Sequence, residues 1–549
     1  MRADRHDDIF EPLDSECKDI VRYVAPVEAQ PEQDEIGLGD EGRQVVRAVS
    51  PSKLGWEMME ISEELAVRHG ELNDDHAVVV AIEADGGPKN WIRTDDERLR
   101  RYLRAQAYKR LGRGPSKGVV DEVIAHIEAR GFTMPAEPMS RRIYWQGQCL
   151  WICLGPRSQR SVRITRDGWS IVDTPPVIFY PASNAAALPE PTRGGHLDSL
   201  KQFFPSVTTE SWPALVGFLL ASFVNEGGYP LLCIAGPENV GKSMATELIR
   251  CLCDPVVGLD ARTSMPKTPE DLYTIAANTH VISLENVSKI THEMSDALCK
   301  VLTGGSEESR KLYSQGITHI LRSRNPVIMN GIGATPERPD LLSRCIVVEL
   351  QAIPEERRRT EATIRQEFQA ELPAILGAMF DALVVAIRDH KSTVVTPNHR
   401  LTDAGKFVTA AEPSLGLPDG SIVSAWLAAQ AGAQVDLCSA DPVADVLARI
   451  FKRDKVTSWR GTASDLCKVA LQLEKDGPQL PADFPRSAGR LGDHLRRRSS
   501  VIKRFGFDVQ RERTPSSRLL DIKLSTPDPV TPKVTVKRPV QAEGGGGTT

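Results

Sequence analysis

The sequence predicts an α/β protein whose central part is built on a parallel sheet. From residue 231 onwards, short apolar strands alternate with helical segments, and this order is typical of parallel strands joined by crossover helices. A glycine-containing segment, residues 236–243, lies between the first of these strands and the next helix. The flanking patterns predict an α+β domain before this core and a winged-helix-like domain after it.

The region before the core has the pattern of a mixed helical and antiparallel domain. Residues 78–82 (VVVAI) form an apolar strand, and residues 95–111 and 119–131 carry apolar side chains at helical spacing. Residues 141–173 alternate with a period of two around glycine-containing turns, which predicts a small antiparallel sheet. A proline-rich connector, residues 174–195, ends this region.

The region after residue 230 divides into four parts by its pattern. The strands of the core are the apolar runs LLCIA, HVISLE, PVIMN and CIVVEL. Helical spacing dominates residues 360–450, and residues 456–524 predict helices followed by a short β-hairpin. The last 25 residues are rich in proline, threonine and glycine, which predicts a disordered tail.

Length and composition indicate a globular protein of several domains. The 549 residues are 41% hydrophobic and 26% charged, and domains commonly have about 100–200 residues. No uninterrupted run approaches the roughly 18 apolar residues of a membrane span, and the acidic N-terminus lacks the apolar core of a secretory signal. We therefore expect a cytoplasmic protein that does not bind a membrane.

The net charge of −5 hides a difference between the two ends of the chain. Residues 1–44 carry thirteen acidic and five basic side chains, whereas residues 486–523 carry eleven basic and four acidic side chains. Because nucleic-acid binding depends on a local basic face, the overall acidic balance does not exclude it.

Residues 236–243 read GPENVGKS and match the phosphate-binding motif G-x-x-x-x-G-K-[ST]. In such a loop, backbone N–H groups surround phosphate oxygens, and the helix N-terminus adds a favourable dipole. Lys242 would reach the β- and γ-phosphates of ATP, and Ser243 would bind Mg²⁺. The predicted ATP-binding residues are Gly236, Pro237, Glu238, Asn239, Val240, Gly241, Lys242 and Ser243.

A second acidic position follows the strand HVISLE, which ends at Glu285 and is followed by Asn286. A carboxylate at this place beside a phosphate-binding loop can hold Mg²⁺ or activate the attacking water. The alternative is a solvated glutamate at the end of a strand. A second acid is missing beside Glu285, and if metal binding and water activation need separate carboxylates, Asn286 at the second place puts fast hydrolysis in question.

Two further residues fit a nucleotide site. Asn330 ends the strand PVIMN, where a polar side chain can position the attacking water, and Arg344 precedes the next strand, where it could reach a γ-phosphate on a neighbouring subunit. An arginine supplied by a neighbour implies a ring or a filament. The alternatives are a turn residue and a surface ion pair, and Arg338 is the reserve candidate for the arginine finger.

A basic hairpin is predicted within residues 304–324, with its turn at residues 314–316. Arg310, Lys311, Tyr313 and His319 on and around it could contact DNA phosphates in a central channel. The alternative is a solvated basic hairpin.

The order of these motifs resembles superfamily 3 helicases, in the branch of phage, plasmid and poxvirus-type primase-helicases. The resemblance rests on GPENVGKS, VISLENVSKI, MSDALCKVLTGGSEESRKLY, RNPVIMNGI and DLLSRCIVVEL, and it covers residues 196–390 best. It implies an AAA+ fold, a hexameric ring, and ATP-driven 3′→5′ unwinding of DNA. It also implies that Lys242, Glu285, Asn330 and Arg344 are the catalytic residues, with Ser243 and Glu285 at the metal.

The resemblance and the patterns together predict six regions. They are an acidic disordered arm (1–50), a helicase-associated α+β domain (51–195), an AAA+ ATPase core (196–360), a helical region (361–455), a winged-helix-like domain (456–524) and a disordered tail (525–549). Glu83 and Asp85 alternate as paired metal ligands would, but a turn at a strand end explains them better. We therefore predict that the chain lacks a primase domain and works with a separate primase or another replication partner.

The basic C-terminal domain is expected to bind duplex DNA. The helix, helix, wing order is typical of winged helices, whose basic side chains contact phosphates. The predicted contacts are Arg496, Arg497, Arg498, Lys503 and Arg504. The alternative for this region is a charged, solvated helix.

The sequence as a whole predicts a Mg²⁺-dependent ATPase that forms a homo-oligomeric ring and moves on DNA in the replication of a phage or mobile element. A competing interpretation is a DNA-binding initiator or scaffold that binds ATP as a switch and hydrolyses it slowly.

Overall fold

The computed structural model describes residues 51–538 except 73–74, 84–88, 157, 183, 259–262, 311–317, 333, 440, 514–517 and 526–532. Residue contacts divide the chain into two units, Met1–Pro138 and Met139–Thr549. The predicted acidic arm lies outside the described residues, as does Asp85. The predicted boundary at residue 195 falls within the second unit.

The first unit packs three helices on an antiparallel sheet. Apolar side chains from the helices and strands form one buried cluster, which includes Leu99, Leu103 and Ile127. Asp96 and Ser116 accept hydrogen bonds from backbone N–H groups at the starts of two helices, which fixes where these helices begin. The helices are Pro51–Glu64, Glu97–Leu111 and Lys117–Phe132, and the strands are β1 (Ala66–Leu72), β2 (Asp75–Glu83) and β3 (Lys89–Arg93).

The second unit begins with the small antiparallel sheet that the sequence predicts. Its four strands pair in the order β5-β6-β7-β8. Cys153 is buried in an apolar cluster with Trp151 and Phe179. The strands of this sheet are β5 (Ile143–Gln146), β6 (Cys149–Gly155), β7 (Ser158–Thr165) and β8 (Gly168–Val172). Two further strands, β4 (Ala136–Ser140) and β9 (Ile178–Phe179), pair with each other in parallel.

The predicted parallel sheet is confirmed and forms the centre of the second unit. Its strands, given below, have the order β11-β12-β15-β10-β16, and every neighbouring pair is parallel. The strands of this region are β10 (Leu231–Ala235), β11 (Thr263–Ser264), β12 (Ile282–Glu285), β13 (Gly305–Arg310), β14 (Thr318–Ser323), β15 (Val327–Asn330) and β16 (Cys345–Glu349). The helices are Trp212–Ala221, Lys242–Cys253, Pro269–Asn278, His292–Thr303 and Pro339–Leu342.

Helices follow the sheet, as predicted. By length and composition, the helix Glu361–Asp389 could cross a membrane. However, 61% of its most apolar 18-residue stretch is buried inside the protein. Phe368, Ile375 and Leu383 of this helix pack in the same core as the parallel sheet, which is typical of a core helix in a soluble fold. The helices Thr402–Ala411 and Ser421–Ser439 and the strand β17 (Val394–Thr396) complete this region.

The C-terminal region has its own apolar cluster, which includes Leu466, Leu491 and Ile522. The predicted hairpin is present, and its strands belong to a three-stranded antiparallel sheet of order β18-β20-β19. The helices are Pro442–Asp454, Ala463–Asp476, Ala488–Arg497 and Ser499–Arg504, and the strands are β18 (Ser458–Thr462), β19 (Phe507–Arg513) and β20 (Arg518–Leu524).

Part of the segment predicted as a disordered tail is a strand. Residues Thr535–Lys537 form β21, which pairs antiparallel with β17. The next residue, Arg538, donates hydrogen bonds to Asp419 and to the Thr409 carbonyl, both at 2.7 Å. Composition alone did not reveal this strand, because it is only three residues long and its partner is distant in sequence.

Candidate functional site

The loop between β10 and the helix Lys242–Cys253 has the conformation that its glycines allow. Gly236 and Gly241 have φ values of 140° and 82°, and Asn239 has a φ of 62°. A Cβ atom at Gly236 would lie 2.6 Å from the Leu350 carbonyl oxygen, so no other residue fits there without a shift. Pro237, the next residue, is exposed. This strand, loop and helix match the predicted phosphate-binding motif in position and length.

The Lys242 side chain folds back over the loop. Its Nζ atom donates hydrogen bonds to the carbonyl oxygens of Gly236 at 2.9 Å and Pro237 at 2.5 Å. The ammonium group therefore lies above the loop that would hold phosphates, where a phosphate oxygen can replace these carbonyls. Ser243 follows as the second residue of the helix and is half-buried.

Asn330 links the helix Lys242–Cys253 to Glu285. Because β15 lies between β10 and β12, the residue that ends β15 is located between the loop after β10 and the end of β12. Asn330 Nδ2 donates to Glu285 Oε1 at 3.1 Å and to Thr246 Oγ1 at 2.8 Å. The Thr246 hydroxyl in turn donates to the Lys242 carbonyl at 3.1 Å. Hydrogen bonds therefore connect Lys242, Thr246, Asn330 and Glu285 in one chain.

Burial makes this chain of hydrogen bonds rigid. Thr246, Glu285 and Asn330 are 0%, 6% and 1% exposed, and buried polar groups that lose a partner are costly. Sequence reasoning missed Thr246. Its position one helical turn after Lys242 was the available signal, because residues three or four apart lie on the same face of a helix.

Asn286 has a backbone conformation that favours its residue type. Its φ is 54°, and its N–H donates to Asn330 Oδ1 at 3.1 Å. Asparagine and aspartate adopt this left-handed region more readily than other non-glycine residues. The position after Glu285 is exposed and holds an amide in this chain.

The residues fit a magnesium–nucleotide complex in chemistry. Ser243 and Glu285 supply a hydroxyl and a carboxylate, which are the oxygen ligands that Mg²⁺ prefers. Glu285 uses Oε1 for its bond to Asn330, so Oε2 remains available to a metal-bound water. Within the described residues, there is no cluster of three or more His, Cys, Asp or Glu side chains that could hold a metal by itself.

Arg344 does not belong to the chain of hydrogen bonds that connects Lys242 with Glu285. It is 4% exposed, and its Nη1 atom donates to the Asp340 carbonyl at 2.6 Å and to Asp340 Oδ1 at 2.7 Å. An arginine that reaches a neighbouring subunit needs an exposed guanidinium, so the location differs from the expected one. The reserve candidate Arg338 has a side chain that is 35% exposed and is paired with Asp296.

The predicted hairpin is present, but its tip lies outside the described residues. Strand β13 pairs antiparallel with β14, with Arg310 opposite Thr318 and Ser309 opposite His319. Lys311, Tyr313 and the predicted turn belong to the residues that are not described. The hairpin is therefore confirmed as an element, and its contact with DNA stays a prediction.

The predicted basic residues of the C-terminal region have different surroundings. Arg496, Arg497 and Lys503 are exposed. Arg498 is turned inward, where its guanidinium lies 4.0 Å from buried Asp441 and 3.7 Å from Glu337. This position differs from the expected phosphate contact, because two carboxylates attract the guanidinium. Arg504 belongs to the last helix of this region.

Two family descriptions match long parts of this chain. Residues 197–427 match the family described as the actinomycete integrative conjugative element replication protein. Residues 443–536 match the AICE RepA C-terminal domain. None of the curated proteins matches the chain in sequence.

The comparison with solved structures found matches to two proteins. One is described as "SCCmec type IV Cch - active helicase", with 12% identity, a TM-score of 0.46, and coverage of 84% of this chain and 93% of that chain. The other is the apo C-terminal region of NrS-1, for which one structure has 10% identity and a TM-score of 0.39, covering 85% of this chain and 99% of that chain. Over residues 197–427 and 443–536, the chain is similar to a replication protein of a mobile genetic element.

Proposed function

We propose that this protein is a cytoplasmic, ATP-dependent DNA helicase or translocase of the superfamily 3 type, with an AAA+ core, that acts in replication of a mobile element. The observation that carries this proposal is the hydrogen-bonded chain from Lys242 through Thr246 and Asn330 to Glu285. It joins the phosphate-binding loop to a carboxylate through an amide, which are the parts that ATP hydrolysis requires. The family matches support the role in replication.

Each residue of the proposed site has a distinct task. The loop N–H groups and Lys242 bind the phosphates, and Glu285 accepts a proton from the attacking water. Asn330 holds the Glu285 carboxylate in one orientation. Its second hydrogen bond, to Thr246, fixes the carboxylate at one distance from the phosphate-binding helix. A bound Mg²⁺, held by Ser243 and by Glu285 through water, would neutralise charge on the phosphates.

The proposal includes a homo-oligomeric ring, with six subunits by the helicase resemblance, in which an arginine of a neighbouring subunit would reach the γ-phosphate. To bind a phosphate on the neighbouring subunit, Arg344 would have to break its hydrogen bond to Asp340. The side chain of Arg338 is already one-third exposed. Both arginines flank the helix Pro339–Leu342, so either one could be presented at the same edge of a subunit.

DNA contacts are proposed at two places. The hairpin β13–β14 carries Arg310, with Lys311 and Tyr313 following it in the sequence, and would contact single-stranded DNA in the pore. The C-terminal region would bind the duplex backbone as a winged helix. Arg496, Arg497, Lys503 and Arg504 are its proposed phosphate contacts, and Arg498 positions the domain through Asp441.

The experiment that tests the proposal is strand displacement from forked DNA with a 3′ or a 5′ single-stranded arm, with ATP present or absent. We expect ATP-dependent displacement that requires the 3′ arm and is lost in Lys242→Ala. The same variant should still bind duplex DNA, because the C-terminal basic residues are separate from the nucleotide site. Displacement that continues without ATP, or in Lys242→Ala, would contradict the proposal.

A second candidate is a nucleotide-gated DNA-binding initiator or scaffold with weak hydrolysis. The exposed amide of Asn286 favours it, because a second carboxylate is missing at that position. The Asn286→Asp substitution fits the left-handed backbone conformation and restores the second acid. A wild-type protein that binds ATP tightly without turnover, and gains turnover in Asn286→Asp, would establish this alternative.

A further inference from the structure

Two histidines of the first unit face each other across neighbouring strands. His69 belongs to β1 and His76 to β2, and His69 Nε2 lies 3.1 Å from His76 Nδ1. The centroids of the two imidazole rings are 5.0 Å apart. Neither histidine belongs to the nucleotide site, and both precede the stretches that the family descriptions match. The pair is therefore a feature that the proposed function does not explain.

The packing of the first unit determines where the His69 ring lies. Val78 is opposite His69 in the pairing of β1 with β2. Gly131 of the helix Lys117–Phe132 packs directly on Val78, because a Cβ atom at Gly131 would lie only 2.4 Å from a Val78 methyl carbon. A larger residue would force the buried valine or the helix to shift. This close approach brings the chain that leaves the helix next to His69.

The Met134 carbonyl fixes the hydrogen atom on the His69 ring. His69 Nδ1 lies 3.0 Å from the Met134 oxygen. Because a carbonyl oxygen only accepts hydrogen bonds, the neutral ring carries its hydrogen on Nδ1, and the lone pair of Nε2 points toward His76. The Phe132 ring packs edge-on against the same imidazole, with the centroids 5.1 Å apart. Donation of one N–H to a backbone carbonyl is typical of a histidine that binds a metal through its other nitrogen.

The separation of the two histidine nitrogen atoms fits one shared metal ion. Nitrogen ligands lie about 2.0–2.1 Å from zinc, so two of them at bond angles of about 90–110° are about 2.9–3.4 Å apart. The 3.1 Å between His69 Nε2 and His76 Nδ1 falls within this range. The alternative is a hydrogen bond that His76 donates to His69, because the same distance allows it.

A carboxylate is available on the same face of the two strands. Glu71 is two residues after His69 and directly opposite His76, and the Cβ atoms of such opposite residues are about 4.5–5.5 Å apart. Among the described residues, no third His, Cys, Asp or Glu side chain completes the site as it stands. Because Glu71 and His76 are exposed, water and a rotated Glu71 side chain would supply the remaining ligands.

We propose that His69 and His76 bind one divalent transition-metal ion of the zinc class, with Glu71 and water as the further ligands. Imidazole nitrogen atoms suit zinc, copper and nickel, whereas magnesium and calcium prefer oxygen. The metal would connect β1 with β2 near the point where β1 ends and β2 begins. Through the Met134 carbonyl it would also fix the residues that follow the helix Lys117–Phe132, and it would therefore stabilise the first unit.

The test is calorimetric titration of the untagged full-length protein with Zn²⁺ in the absence of nucleotide. We expect His69→Ala and His76→Ala each to weaken zinc binding at least about tenfold, because loss of a residue that only orients a metal ligand already costs about 10–100-fold. Glu71→Gln should weaken binding by a smaller factor, of about threefold or more, because a neutral amide is a poorer zinc ligand than a carboxylate.

The matched control is His126→Ala. His126 lies in the same unit, and its side chain is 37% exposed and paired with Glu63, so its removal tests zinc binding by surface histidines in general. It should bind zinc within about twofold of wild type. As a second readout, zinc should slow hydrogen exchange of the backbone amides in β1 and β2 of wild type and His126→Ala, but not of His76→Ala, since an ion that binds the folded state opposes local opening. His76 is exposed, so its removal should leave the fold intact.

Four results would overturn the proposal in whole or in part. Equal zinc affinity in wild type, His69→Ala and His76→Ala would show that the two histidines share only a hydrogen bond. Equal weakening in His126→Ala would reduce the effect to binding by any surface histidine. Slower exchange confined to other elements would place the zinc ion at a different site. Unchanged affinity in Glu71→Gln would remove Glu71 from the ligands.

Discussion

Asn330 Nδ2 lies 3.1 Å from Glu285 Oε1, and the same nitrogen atom donates to Thr246 on the helix Lys242–Cys253. One amide therefore fixes the distance between the carboxylate and the helix that would hold the phosphates. The sheet order makes this possible, because β15 lies between β10 and β12.

Removal of this amide should affect hydrolysis more than ATP binding. In Asn330→Ala, Glu285 loses its orienting partner, and we expect kcat for ATP to fall about a hundredfold, as small misplacements of catalytic groups do. The dissociation constant of a fluorescent ATP analogue should change by less than about threefold. Thr246→Val should have a smaller effect in the same direction, and Thr246→Ser none. A wild-type kcat in Asn330→Ala would exclude the orienting role.

The glycine after Asn330 should be indispensable. Gly331 has a φ of 137°, and a Cβ atom there would lie 2.4 Å from the Val287 nitrogen. We expect Gly331→Ala to lower the free energy of unfolding by about 1–3 kcal/mol or more through strain and to reduce ATP turnover.

The matched control for this prediction is Gly118→Ala, since no atom lies within 4 Å of the added Cβ atom and the residue is helical. Its melting temperature should be unchanged or slightly higher. Thermal unfolding of both variants provides the comparison. Equal melting temperatures for Gly331→Ala and wild type would show that the two loops separate easily.

An arginine supplied by a neighbour should be detectable by mixing subunits. We expect Arg344→Ala to bind ATP without turnover, and a mixture with Lys242→Ala subunits to recover part of the activity, because each variant supplies what the other lacks. Arg338→Ala is measured alongside. If activity is recovered only when Arg338→Ala replaces Arg344→Ala in the mixture with Lys242→Ala, the arginine finger is Arg338. If neither mixture recovers activity although mixed oligomers form, the arginine does not act between subunits.

A buried histidine should make stability depend on pH. Burial lowers the pKa of His280 to about 4, from an ordinary value of 6.5. Although burial would raise the pKa of its neighbour Asp254, the guanidinium groups of Arg142 and Arg250 hold that pKa well below its usual range. His280 Nε2 lies 2.9 Å from the Ser222 carbonyl oxygen, to which the neutral ring can donate.

The sign of the pH effect follows from the lowered pKa of His280. The unfolded chain takes up a proton near pH 6.5, whereas the folded chain resists protonation down to about pH 4, so stability present above pH 6.5 is lost as the pH falls through this window. The loss amounts to at most about 3 kcal/mol. Denaturant unfolding at pH 8, 6 and 4.5 should show a smaller decrease for His280→Gln than for wild type. Parallel decreases would contradict this assignment.

The sequence predicted those features that depend on local patterns. The parallel sheet, the loop before Lys242 and the hairpin β13–β14 follow from strand alternation, a contiguous motif and two adjacent strands. The burial of Arg344 did not follow, because it depends on the hydrogen bonds to Asp340 and on packing of distant elements. Thr246 was missed for a similar reason, since its partner Asn330 is 84 residues away.

The charge pattern was predictive only in part. The basic C-terminal segment is present, but Arg498 is drawn toward Asp441 and Glu337 rather than toward solvent. A count of charges cannot separate exposed cations from those that carboxylates hold inside the protein. The strand β21 shows the same limit for composition, because its pairing with β17 depends on residues that are about 140 positions apart in the sequence.

The most direct test of the central claim is the ATPase rate of wild type and Lys242→Ala with and without single-stranded DNA, together with the mass in solution. We expect turnover that DNA stimulates, by a species of ring size, and its loss in Lys242→Ala. Tight ATP binding by wild type with negligible turnover, whether or not DNA is present, would contradict a motor and indicate a nucleotide-gated DNA-binding assembly.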